Sequence, residues 1–112
     1  MKNYSISKLH WTNHSKAKMS FYGLSESRVK RVLRTPKRVE EGVAENTIAL
    51  MQPPSIKKRD GKEMWTQEIW VMIQKRGEKL RIISAWRYPG KSSEKNPIPK
   101  EIIDDLKSEG II

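Results

Sequence analysis

"MWTQEIWVMIQKRGEKLRIISAWRYP", residues 64–89, decides the fold. Two apolar runs flank a polar tip, Arg76-Gly77-Glu78-Lys79, where the chain can reverse. In the first run alternation puts Trp65, Ile69, Val71 and Ile73 on one face, with Thr66, Glu68, Trp70 and Met72 on the other. In the second, Ser84 stands with Ile82, Trp86 and Tyr88, and Arg81, Ile83, Ala85 and Arg87 lie opposite. A period of two on both sides of a short tip describes a long antiparallel hairpin. Trp65 reads as core, since it shares its face with three aliphatics.

Upstream, "KKRDGKE" (residues 57–63) is a second tip, because Asp60-Gly61 suits the positive φ angles of a type I′ turn. "RVEEGVAE" (38–45) and "NTIALMQP" (46–53) read as two short strands. Two helices come before them. Thr12 or Asn13 caps the first, from about His14 to Tyr22, and Gly23 ends it. Ser25 caps the second and Pro36 stops it. Val29, Val32 and Leu33 form its inner face, with Glu26, Lys30, Arg31 and Arg34 outside. After the loop "GKSSEKNP" (90–97), "IPKEIIDDLKSEG" (98–110) is a closing helix with Ile102, Ile103 and Leu106 inward. The expected fold is α+β: one domain over residues 1–112, in which two N-terminal helices pack on one face of a four-stranded antiparallel sheet, followed by a C-terminal helix.

The charge balance directs the functional reading. The 112 residues carry a formal net charge of +10, unevenly spread. Residues 1–38 hold ten bases and one acid, residues 39–56 three acids and no base, and residues 57–91 ten bases and four acids. Such a surface suits a polyanion, since each base near a phosphate releases a condensed counterion. A basic protein that is merely soluble is the plain alternative. No apolar run spans a membrane, and "MKNYSISKLHW" lacks the apolar stretch of a secretory signal, so a cytoplasmic protein with no membrane partner is expected. With no cysteine, disulfides, thiolate metal sites and cysteine nucleophiles are excluded.

Three groups could carry chemistry. His14 and Lys18, four apart on a helix, project from one face. A histidine exchanges protons near neutral pH, and a lysine holds a phosphate. By spacing alone a solvated histidine near the cap explains the pair as well. His10 lies outside the helix, so no two-histidine metal site is expected. Arg81 and Arg87, on the strand with Ser84, either join the pair as a phosphate clamp or flank an exposed edge. The tips, with Lys57, Lys58, Arg59, Lys75 and Arg76, together with Lys16 and Arg31 on the helices, are expected to contact a nucleic-acid backbone. Basic tips also guard sheet edges against aggregation. Trp65, Trp70 and Trp86 are possible stacking platforms. Glu101, Asp104 and Asp105 read as a solvated helix face, and Glu40 and Glu41 as partners for arginines of the second helix.

"NHSKAKMSFYGLSESRVKRVLRTPKRVEEG", residues 13–42, resembles the start of the small prokaryotic family known as domain of unknown function 4258. Members read His, a small residue, two variable positions, Arg, Met, then a Gly-Ile/Leu-Ser junction and a helix ending in Leu-x-x-Pro. Here His14, Ser15, Met19, Gly23-Leu24-Ser25, Val29, Leu33, Pro36 and Glu41-Gly42 fall into place, and "IISAWRYP" looks like the family's late Thr-x-Tyr-like strand. The likeness covers about residues 12–88. It implies the compact fold of RelE-type toxins, EndoU and colicin-type ribonucleases, and metal-independent RNA cleavage without a cofactor. In that frame His14 is the acid or base, Lys18 stands where members have Arg, Tyr22 where many have a second Arg, and Ser84 replaces Thr, with Arg87 beside it. The leading expectation is a toxin-type endoribonuclease with His14, Lys18, Ser84 and Arg87 catalytic, RNA favoured over DNA. The alternatives are a non-catalytic RNA- or DNA-binding module, and a partner-binding protein masked by an acidic antitoxin-like chain.

Overall fold

The computed structural model describes residues 9–43, 45–93 and 98–111. Residues 1–8, where the leader was assessed, and 94–97 of the loop after the hairpin lie outside them. The elements run β1 (Leu9–Trp11), α1 (Asn13–Tyr22), α2 (Glu26–Arg34), β2 (Arg38–Glu41), β3 (Thr47–Gln52), β4 (Lys57–Arg59), β5 (Lys62–Met64), β6 (Gln67–Arg76), β7 (Lys79–Pro89) and α3 (Lys100–Ser108).

The expected four-stranded antiparallel sheet is corrected on three points. The main sheet has five strands in the order β1-β7-β6-β3-β2 and is mixed, because β1 runs parallel to β7. The pair β4-β5 forms a separate two-stranded sheet. A strand also precedes the first helix, and the helices cover both faces of the sheet instead of one. β1 escapes sequence reading because three residues are too few to display a period of two. The two-sided cover was legible in β6. Ile69, Val71 and Ile73 face α1 and α2, while Trp70 and Met72 face α3, and all five are buried. A strand apolar on both faces needs a layer on each.

The β6–β7 hairpin is the backbone of the fold. Its register runs from Gln67 opposite Pro89 to Arg76 opposite Lys79, with a bulge where Met72 faces Ser84 but Ile73 faces Ile82. Ile83 is the extra residue, and it reverses the phase of β7. Ile82 therefore joins Ala85 on the α1/α2 side, and Ile83 joins Trp86 under α3. The even alternation expected for β7 fails at that residue. Trp65, outside the strand, packs with the α3-side cluster and not with Ile69, Val71 and Ile73 as the alternation expects. The turn chemistry of the other tip is as read: Asp60 and Gly61 both have positive φ, 52° and 77°.

α1 does a second job at the sheet edge. β1 pairs only with Leu80–Ile82 of β7. From there α1 takes over in the same direction: Thr12 Oγ1 donates to the Ile82 carbonyl (2.8 Å), and Arg87 Nε donates to the Tyr22 carbonyl (2.6 Å). The helix thus covers the part of β7 that β1 leaves open. Thr12 is also the N-cap, accepting from Ser15 N at 3.1 Å, so one hydroxyl starts the helix and fixes it to the strand. Among the described residues, no helix is long and apolar enough to cross a membrane.

Candidate functional site

Because Thr12 is pinned to Ile82, the next helical residues face β7. His14 is buried, with Nε2 3.4 Å from the Ser84 hydroxyl, seventy residues away in sequence. Its Nδ1 meets the carboxylate of Glu109, just past the end of α3. One turn on, Lys18 Nζ lies 2.6 Å from Asp105 Oδ2. Two residues four apart on α1 thus meet two residues four apart on α3, in reverse order, as antiparallel helices require. That bond holds the Lys18 ammonium above its ordinary range and the Asp105 carboxyl below its own.

The expected quartet is brought together in part. His14 meets Ser84 at the α1–β7 edge, and Lys18, one turn further along α1, meets Asp105. Arg87 does not join them. It donates to the carbonyls of Tyr22 and Gly23 and to Gln67 Oε1 (2.9 Å), closing the C-terminal end of α1. Ser84 is wholly buried, so it orients the imidazole and is not placed to attack a substrate. Asp105 is corrected from solvated acid to ion-pair partner, and Glu40 pairs with Arg38 and not with α2.

The other expected contacts divide by location. Lys16 and Arg31 are exposed on their helices, and Lys57, Lys58 and Arg59 on the β4–β5 hairpin. Lys75, Arg76 and Arg81 lie where β6 and β7 meet their turn. Trp70 and Trp86 are fully buried, stacked at 5.9 Å and nearly parallel, so neither is a platform for bases. The exposed aromatic is instead Phe21, 77% accessible on α1, with the Lys18 ammonium 5.8 Å from its ring.

Glu68 was also missed. It is fully buried, yet well served by donors. Trp65 Nε1 and Trp70 Nε1 donate at 2.9 Å each, and Ser92 donates its hydroxyl at 2.6 Å and its N–H at 3.3 Å. Arg38 Nη1 stands 4.0 Å away, bonded to Ser92 Oγ and stacked 5.2 Å from the Trp70 ring. Burial pushes this carboxyl up, but the Ser92, Trp65 and Trp70 hydrogen bonds outweigh it and hold the group below the usual range. The cluster ties residues 92 and 93 to the sheet. A lone acid between apolar residues beside two tryptophans was the available signal.

Among the described residues, no three of His, Asp and Glu are grouped to hold a metal ion. Comparison with protein-family models, with curated proteins and with solved structures finds no match.

Proposed function

We propose that this chain is an RNA-directed protein that cleaves phosphodiesters without metal, with His14 as the acid–base residue. One observation carries the reading: His14, on a helix anchored at Thr12, meets Ser84 of a strand seventy residues later, and Lys18 lies one turn further along the helix. The reading also leans on the resemblance of residues 12–88 to the family named above, which is what singles out His14 and Lys18. In the reaction, His14 takes the proton of a ribose 2′-hydroxyl and the O2′–P bond forms. The P–O5′ bond breaks, its oxygen takes a proton from solvent, and Lys18 holds the negative charge on phosphorus. The raised pKa of Lys18 suits a permanent cation better than a proton donor. Ser84 fixes the ring at Nε2, and Nδ1, which meets Glu109 in the structure, takes the proton once Glu109 gives way. A phosphate entering the site must take the place of the Asp105 and Glu109 carboxylates, which now neutralise the two bases.

A second reading, a binding module without catalysis, draws on the same observations. Arg87 is committed to α1, Ser84 is sealed, and both ring nitrogens of His14 are engaged. The separating experiment is cleavage of a labelled mixed-sequence RNA in EDTA by the native protein, His14→Ala and His14→Gln, with melting curves to verify folding. Loss of about 10²–10⁴ in rate in both folded variants is expected for an acid–base residue. Equal RNA binding by all three proteins with the RNA left intact would sink the enzyme and leave the module. Neither binding nor cleavage would redirect the search to an acidic protein partner.

A further inference from the structure

We infer that His10, Arg76, Lys79 and Arg81 form a phosphate-binding pocket separate from the His14 corner. These four side chains line a cavity of about 280 Å³ at the turn end of the β6–β7 hairpin. Their convergence follows from the sheet register. His10 pairs with Arg81 across β1–β7, Arg81 with Gln74 across β7–β6, and Arg76 with Lys79 two pairs nearer the turn. The neighbours Leu9, Trp11, Leu80 and Ile82 all pack toward α1 and α2, so the four pocket residues stand on the opposite face.

Charge makes the arrangement informative. Like charges directly opposite in an antiparallel pair are destabilising, and Arg76 and Lys79 are such a pair. Arg81 adds a third cation, and Gln74 Oε1 holds its guanidinium by a hydrogen bond of 2.9 Å. Among the described residues, His10, Arg76, Lys79 and Arg81 are the cavity's lining and none of them is a carboxylate. By contrast Lys18, Lys37 and Arg38, elsewhere in the molecule, each have an acidic partner. An anion that enters a cavity walled by three cations offsets their mutual repulsion, and the fixed guanidinium fork suits phosphate oxygens. A cavity of about 280 Å³ has room for a phosphate group.

The pocket also lies on a path. Arg81 and Ser84 are three residues apart on β7, roughly 10 Å at about 3.3 Å per residue, and both face the α3 side. Ser84 is buried against His14, so a nucleic-acid strand held at Arg81 lies about that distance from the His14 corner. This last clause rests on the RNA reading above, whereas the pocket's chemistry does not.

The test has two arms on the full chain. In the first, inorganic phosphate is titrated while NMR follows the His10 ring and the amides of residues 76–81. Saturable shifts confined to these groups, lost in Lys79→Gln and in Arg81→Gln, are expected. Lys79 is exposed and serves as the variant that leaves the fold alone. Absence of shifts, or equal shifts at the β4–β5 hairpin, overturns the pocket. In the second arm, a twelve-nucleotide single-stranded RNA is bound with and without a 5′-phosphate. Lys79→Gln with Arg81→Gln is expected to weaken it about tenfold, as loss of charge-assisted contacts implies, and the charge-matched Lys58→Gln with Arg59→Gln no more than about threefold. Equal losses overturn the pocket's place on the strand, leaving only net charge. A 5′-phosphate that tightens the native protein alone assigns the pocket to a strand end, and no such gain assigns it to an internal phosphate. The first arm uses inorganic phosphate and no RNA, so failure of the cleavage reading and failure of the pocket are told apart.

Discussion

Two basic regions lie on the α3 side of the same sheet, and they treat their charges in opposite ways. At the His14 corner both bases have an internal partner: Glu109 for His14 and Asp105 for Lys18. At the turn end, Arg76, Lys79 and Arg81 converge with no acid among the cavity walls. Both regions gather basic side chains, and the acids beside them are what differ. The difference lies in what happens when an anion arrives: it must compete with two carboxylates at the first region, and it relieves repulsion at the second. In the proposed reading an anion enters the turn end directly, whereas at the corner it enters only when the α3 contacts yield.

The sharpest test of internal pairing is its most buried case. Glu68→Gln removes the charge that two indoles and Ser92 address, and it should lower stability by about 3 kcal/mol, as breaking a buried charged network does. Denaturant unfolding at pH 7 measures it. The pH dependence follows in sign. Glu68 is held below the ordinary carboxylate range, so its stabilisation is present above the unfolded value of about 4.3 and is lost as pH falls through the lower folded value. Below about pH 4 the native protein should therefore approach the variant in stability. A constant gap down to pH 3 would show that Glu68 is not held as a carboxylate.

Next in size is the release of the corner. Asp105→Asn with Glu109→Gln removes the two competing acids, and RNA affinity should rise roughly fivefold at low salt and less as salt screens the site. Fluorescence anisotropy against salt concentration checks both parts. The Lys18 ammonium, raised by Asp105, contributes stability below about pH 10.4 that is lost as pH rises through its higher folded value. In the double variant that alkaline loss should shrink. Unchanged RNA affinity would break the comparison, since the corner's pairing would then not oppose binding.

How much of this the sequence disclosed depends on distance along the chain. Caps and turns were legible because they are local: Thr12, Ser25, Gly23 and Asp60-Gly61 act within a few residues of themselves. The hairpin was legible because alternation is periodic. The bulge at Ile83 was not, since one inserted residue breaks the period without changing composition. β1 was not, since its identity lies in its partner Leu80–Ile82. At the site, His14, Lys18 and Ser84 were singled out as candidates, but Asp105 and Glu109 were not recognised as their complement. A matching i,i+4 acid pair on the last helix was visible, yet its target depended on which face of the sheet that helix would cover. The family-like stretch ends near residue 88, short of α3, so the resemblance could not point there either.

The smallest predicted effect bears most directly on the comparison because its sign is unusual. Removing a surface charge at a paired site should cost stability or leave it unchanged. Lys79→Gln should instead raise stability by about 0.3 kcal/mol, because it relieves the like-charge pair with Arg76 across the hairpin. The gain should fade at high salt, where the repulsion is screened, and it should vanish in saturating inorganic phosphate, where the bound anion already offsets the charges. Parallel melts of native and variant protein in low salt, high salt and phosphate read all three conditions. Loss of stability in low salt would mean that Lys79 has a stabilising role within the fold, and the contrast between the two regions would collapse at its simplest point.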